Sequence, residues 1–247
     1  MLVNNLSDME VKKLVMLIYG APGSGKTYFV GTIGEKLNTL IVDTEGGQLT
    51  LKYLGEEVKK NLRSISMNRF EDLDVIYKAA KINTVEGWKK LGVNTDRPFE
   101  AIVIDTISEL QSIMIDKLRK GTPLDGLGDP LKLVPLQIQE WGKLIDLTTL
   151  TIKAFKELPL TFVSTFHEQM TRDELSGVVQ GCPSLKGKAA PEIGKLFDIQ
   201  LHMCMGLNGK YNAISKAQSS WQAKSRFPLA DKIEDPTYAK LLISMKN

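Results

Sequence analysis

The chain has 247 residues, 43% of them hydrophobic and 25% charged, with a formal net charge of +3. This balance suits a soluble globular protein that can bury its own core, and it excludes disordered and fibrous classes. Two cysteines and two histidines exclude a disulfide framework and a His-rich metal centre. The mild positive charge is compatible with a nucleic-acid partner without demanding one. Residues 1–13 hold acids and no apolar targeting core, and no apolar run approaches the ~18 residues of a membrane span. The expectation is a cytoplasmic protein with no membrane partner.

Residues 14–19 (LVMLIY) are a short apolar run ending at glycine, the pattern of a buried strand. A helix is expected over 26–37, a buried strand over 39–43 (TLIVD), a weaker strand over 61–66 and a helix over 70–81. The run 101–105 (AIVID) is a clear strand, 107–118 a helix, and 121–135 a loop rich in Gly, Pro and Asp. A long amphipathic helix is expected over 136–157, with Leu136, Trp141, Leu144, Ile145 and Leu147 on or near one face, then a strand over 160–165. Residues 171–191 read as a second long polar stretch. Beyond them 199–205 and 211–217 flank Asn208-Gly209, a strong hairpin signal, and 221–224 extends the antiparallel part. Asp235-Pro236 is expected to cap a last short helix. Strands alternating with helices imply an α/β fold, with a mainly parallel central sheet covered on both faces and a C-terminal antiparallel hairpin. No linker, repeat or low-complexity tract divides the chain, so a short extension over 1–13 and one domain over 14–247 are expected.

Gly20, Ala21, Pro22, Gly23, Ser24, Gly25, Lys26 and Thr27 fit G-x-x-x-x-G-K-[ST], with the required strand before and helix after. The glycines let several backbone N–H groups converge on one point, and the helix adds the positive end of its dipole. Lys26 is placed to reach the β- and γ-phosphates, and Thr27 to hold Mg²⁺ through its hydroxyl. Tyr28, next on the helix, joins the nucleotide-contacting group. These features point to a P-loop ATPase that binds ATP and Mg²⁺.

Two acids follow strand ends. Asp105 closes AIVID, where a carboxylate holds Mg²⁺ through its water shell or caps the helix behind it. Glu45 follows the 39–43 strand, and ligands in open α/β sheets lie beyond the carboxyl ends of the strands. Glu45 can therefore polarise an attacking water. Asp43 is the alternative base, or orients Lys26 or Thr27, and a solvated loop acid is the remaining reading of Glu45.

GAPGSGKT, IVDTEGG and VIDTISEL together resemble the core of the RecA/RadA recombinases. STFHE, GKAAPEIGKLFDI and WQAKSR resemble a narrower group, the RecA-core branch of the phage Sak proteins, which are linked to single-strand annealing. The similarity runs from about residue 14 to 238. The resemblance implies that Glu45 activates water. It implies DNA-contacting loops at about 119–135 and 169–191, with Arg119, Lys120 and Lys132 in one and Arg172, Lys186 and Lys188 in the other. Asp125, Asp129, Asp173 and Glu174 dilute that charge, and neither loop has an aromatic residue to stack on bases. The family senses the γ-phosphate with a glutamine where this chain has His167. His167 is thus a sensor of the nucleotide, with Gln169 as an alternative sensor and a buried core histidine as the competing reading. Lys224 and Arg226, by the same resemblance, reach the γ-phosphate of a neighbouring subunit. An exposed basic pair is what their spacing alone gives.

The first functional expectation is an ATP-dependent, single-stranded DNA-binding recombination or annealing protein of a phage. It would act as a homo-oligomer, ring or filament, with a single-strand DNA-binding protein as a candidate auxiliary partner and DNA-stimulated hydrolysis. The alternatives are a DnaB-type helicase-like motor and a nucleotide-gated DNA-binding scaffold with negligible turnover. A nucleotide kinase is disfavoured, because no Arg-rich lid segment is evident.

Overall fold

The computed structural model describes residues 13–119, 136–172, 177–187, 193–218 and 220–245. Nine of their strands form one sheet. Six run parallel in the order β3 (Leu62–Ser66), β2 (Thr39–Asp43), β4 (Ala101–Asp105), β5 (Thr161–Phe166), β1 (Val15–Gly20) and β8 (Ile199–Met205). Antiparallel to β8 lie β9 (Tyr211–Ile214) and the two-residue β10 (Lys224–Ser225), and β11 (Lys232–Glu234) pairs with β9. The fold is thus the α/β, P-loop-type NTPase architecture, a mostly parallel sheet with antiparallel strands at its C-terminal side. The expected hairpin forms around Asn208-Gly209.

Strands β1, β2, β4 and β5 are buried along their whole length because helices cover both faces. Side-chain alternation sorts each strand between two cores. Leu17 and Tyr19 of β1 enter one core, with Leu73, Leu110, Met114 and Phe155 from the helices above it. Met16 and Ile18 enter the other, with Phe29, Val30, Tyr238 and Leu241. The first face is covered by α3 (Phe70–Ile82), α5 (Ile107–Leu118) and α6 (Ile138–Glu157). The second is covered by α1 (Lys26–Gly31) and the C-terminal helix Tyr238–Ser244. Of two short helices, α2 (Glu56–Lys60) packs against β3, and α4 (Val85–Lys90) packs against α3 and sends Trp88 into the first core. No helix among the described residues is long and apolar enough to cross a membrane.

Several sequence expectations need correction. The 26–37 helix breaks at Gly31 and continues as a 3₁₀ turn over Thr32–Glu35. A Cβ at Gly31 would meet Leu51 and Leu54 at 2.6 Å, so the glycine that weakens the helix admits the neighbouring turn. Residues 171–191 are not a plain loop: β6 (Glu168–Arg172) and β7 (Val179–Pro183) pair as a separate antiparallel hairpin. The buried stripe of α6 is Leu144, Thr148, Thr151, Ile152 and Phe155, whereas Trp141 is exposed. Thr237 caps the last helix, not Asp235, by accepting a hydrogen bond from the Lys240 N–H. The first candidate DNA loop, except Arg119, lies outside the described residues, as do Asp173, Glu174 and Lys188.

Candidate nucleotide site

The carboxyl ends of β1, β2, β4 and β5 gather the candidate residues at one end of the sheet, with Asp43 paired in register with Asp105. After β1 the loop turns sharply: Gly23 and Gly25 adopt φ of 75° and 88°, a region other residues avoid. Gly25 also accommodates the Tyr211 ring, whose nearest atom would lie 3.2 Å from a Cβ there. The buried Lys26 folds back on the loop and donates to the carbonyls of Gly20 (2.9 Å) and Ala21 (3.0 Å). Burial lowers its pKa, opposed by the charges of Asp105, Glu45 and Glu168.

Asp105 is buried and accepts hydrogen bonds from the hydroxyls of Thr27 (2.9 Å) and Thr165. Desolvation raises its pKa, and these two bonds pull it back. Thr106, not Asp105, caps α5, accepting from the Glu109 N–H at 3.1 Å. The capping alternative for Asp105 is thereby excluded. One carboxylate oxygen of Asp43 accepts from the N–H groups of Glu45 (3.1 Å), Gly46 (2.8 Å) and Gly47 (3.4 Å). Asp43 thus builds the turn that presents Glu45. Its other oxygen and the Ser24 hydroxyl are buried with no hydrogen-bond partner. Orphaned polar atoms beside a glycine loop, with Thr27 bonded to a buried carboxylate, fit a polyphosphate and a hydrated divalent cation. No cluster of three or more His, Cys, Asp or Glu able to hold a metal by themselves occurs among the described residues.

Glu45 is 45% exposed, and its Oε1 lies 3.5 Å from Nε2 of His167, whose side chain is 31% exposed. His167 is therefore not a core histidine. Gln169, the alternative sensor, turns into the β6–β7 hairpin, where its amide meets Cys182 and Ser184. Lys224 and Arg226 lie elsewhere. Lys224 pairs with Gln200 near the start of β8, and Arg226 bonds Asp198 at 2.9 Å, at the opposite end of the sheet from Lys26. Burial lowers the pKa of Lys224, helped by the adjacent Arg226.

A cavity of about 650 Å³ opens beside the loop, of a size usual for small-ligand sites. Gly25, Tyr28, Tyr211, Asp235, Pro236 and Lys240 line it, so the Tyr28 expectation meets a wall supplied by the C-terminal part of the chain. The Asn-Gly turn foretold the hairpin, but no sequence signal brings Tyr211 against Gly25.

A family model described as an AAA domain (AAA_24) matches residues 12–227. The chain belongs to this family. The match spans both strand-end acids, the loop and the Lys224/Arg226 segment, and it makes the chain an AAA-type P-loop ATPase domain. Membership of this family implies a nucleotide as the ligand class of the glycine loop.

Proposed function

We propose that this AAA domain is an ATP-dependent, single-stranded DNA-binding recombination or annealing protein, related to the RecA-core Sak group, that works as an oligomer. The observation that carries this is the Glu45–His167 contact of 3.5 Å. It joins the turn after β2 to the residue from which the β6–β7 hairpin springs. That hairpin carries Arg172 and the exposed Met170 and Val179. A change at the terminal phosphate then has a short route to a projecting element suited to touch a polymer.

In hydrolysis, the loop N–H groups and Lys26 hold the polyphosphate, and Lys26 exchanges the Gly20 and Ala21 carbonyls for phosphate oxygens. Thr27 and Asp105 are the residues that would hold Mg²⁺, which neutralises charge on the β- and γ-phosphates. Glu45 takes a proton from the attacking water, while Asp43 fixes the turn that aims it. Measuring ATPase rate with and without single-stranded DNA tests the reading. Stimulation supports it, and DNA unwinding with translocation would favour the helicase-like motor.

Glu45→Gln is expected to keep nucleotide affinity and cut turnover by ~10²–10⁴-fold, since an amide of the same shape cannot accept the proton. If Asp43→Asn gave that bind-without-cleaving phenotype and Glu45→Gln did not, the base would be Asp43. DNA affinity is expected to fall with salt on a log–log slope of about −0.7 per phosphate contact. Removing the positive charges of Arg172 and Lys186 together should flatten that slope by about 1.4. A slope that stays unchanged in a filter-binding series removes the hairpin from the DNA interface.

A further inference from the structure

Besides Asp43, Glu45 and Asp105, one more carboxylate lies near the end of β1 from which the phosphate loop starts. Glu168 opens β6 two residues beyond Phe166, which pairs with Tyr19, and Tyr19 immediately precedes Gly20. From there the Glu168 carboxylate reaches across β1 to β8, where its Oε2 lies 3.0 Å from Nε2 of His202. His202 pairs in register with Tyr19 and is 1% exposed, and Glu168 is 15% exposed. The imidazole stacks on Trp221 at 4.1 Å and 13°, and tilts against Tyr19 at 5.0 Å. Trp221 in turn packs against Gly181 of β7, and Tyr19 donates to the carbonyls of Gly181 (3.2 Å) and Gln222 (2.6 Å). The stack on Trp221 and the contact with Tyr19 hold the buried ring in place beside Glu168.

The protonation of this pair follows from its surroundings. His202 Nδ1 is buried without a hydrogen-bond partner, so a proton there would be unsatisfied. Burial pushes the imidazole toward its neutral form, against the pull of Glu168. The neutral ring carries its proton on Nε2 and donates it to Glu168. A hydrogen bond from a neutral ring does not cancel a carboxylate's charge, and among the described residues no lysine or arginine forms an ion pair with Glu168. Lys26 stands at the same end of β1: its ammonium bonds the carbonyl of Gly20, the residue after Tyr19, with which His202 is in register.

The geometry points to Glu168 as an affinity-setting residue of the nucleotide site: His202 fixes its carboxylate at the foot of the phosphate loop, where it opposes the polyphosphate and eases nucleotide release. This rests on the nucleotide-binding role of the loop. Like charges brought close in a partly dry site repel strongly enough to change affinity severalfold. A residue that only packed the fold would lose affinity when altered. Here the substitution that removes charge is expected to gain it.

Glu168→Gln keeps an acceptor for His202 Nε2–H and deletes only the charge. Calorimetric titration of the full chain with Mg-ADP and a non-hydrolysable triphosphate should show both Kd values about fivefold lower, with ADP release slowed to match. His202→Phe keeps the stack on Trp221 but frees Glu168 to approach Lys26, so both Kd values should rise at least threefold. The double variant should return to the Glu168→Gln values. Unchanged or weakened binding in a folded Glu168→Gln protein overturns the assignment. Failure of Glu168→Gln to rescue His202→Phe overturns the positioning role of His202. Should His202→Phe not fold, Glu168→Gln alone decides. Absence of binding in the unmodified protein would instead overturn the loop's nucleotide role, and the wild-type titration shows that separately.

Discussion

Lys26→Ala is expected to reduce ATP hydrolysis to the level of a protein-free blank and to remove most triphosphate binding. Lys26 is the cation inside the loop, and its ammonium already satisfies two loop carbonyls at 2.9 and 3.0 Å. When phosphates enter, those bonds are exchanged for ones to the β- and γ-oxygens, in which donor and acceptor are both charged. The other lysine lining the cavity, Lys240, belongs to the C-terminal helix and is bonded to the carbonyls of Glu234 (3.0 Å) and Asp235 (2.8 Å), outside the loop whose N–H groups cradle the phosphates. Loss of one such electrostatic donor costs ~10²–10³ in rate elsewhere, and here ground-state binding falls as well. Phosphate release and the affinity for a fluorescent triphosphate are the measurements. Turnover within tenfold of the unmodified protein would sink the assignment of the loop.

The legible part of this molecule was its parallel half. Strands β1, β2 and β4 are continuous apolar runs because both faces are covered, and such runs stand out in sequence. The loop between β1 and α1 was equally visible, since its chemistry needs glycines at fixed spacing. The β6–β7 hairpin was hidden, because Glu168–Arg172 is half-exposed and mostly polar, and its partner ends in Gly-Cys-Pro. A strand stabilised by side-chain contacts to Trp221 and Cys182 leaves little local signature. The cavity wall was hidden for a different reason. Tyr211 meets Gly25, and Asp235 and Lys240 join the same cavity, only after the antiparallel strands fold back beside β8, which is a property of topology. Periodicity placed Leu144 and Leu147 of α6, and Leu136 just before it, on the core side but set Trp141, which is exposed, on or near the same face. Thr148 fills that stripe instead, accepting a hydrogen bond from the Gln111 amide inside the core.

The second large effect concerns assembly: Arg226→Ala should lose turnover, and mixing it with Lys26→Ala should restore part of it. The Arg226 N–H donates to the Asp198 carbonyl, and the Asp198 N–H donates to the Val15 carbonyl, so Arg226 stands level with the start of β1. Lys26 grips the carbonyl at the other end of that strand. A six-residue strand separates them by about 16 Å, further than an arginine side chain extends. Arg226 cannot act on the phosphates of its own subunit, and a role in hydrolysis requires a neighbour. Its side chain is largely exposed and held by one ion pair to Asp198, a contact weak enough at a surface to be exchanged for phosphate. Lys224, two residues before it and depressed in pKa by burial, would be stabilised in its charged form by the same phosphate. A basic finger supplied in trans is worth ~10³–10⁵ in rate. Arg226→Ala should therefore bind ATP normally and turn over at that deficit. In a mixture with Lys26→Ala, some interfaces join a sound loop from one subunit to a sound Arg226 from the other, and those alone should hydrolyse. The recovered rate should rise with protein concentration and peak near equal proportions of the two variants. Mixtures that stay as inactive as either variant at saturating single-stranded DNA would leave Arg226 as the surface partner of Asp198, and the nucleotide site would belong to one subunit alone.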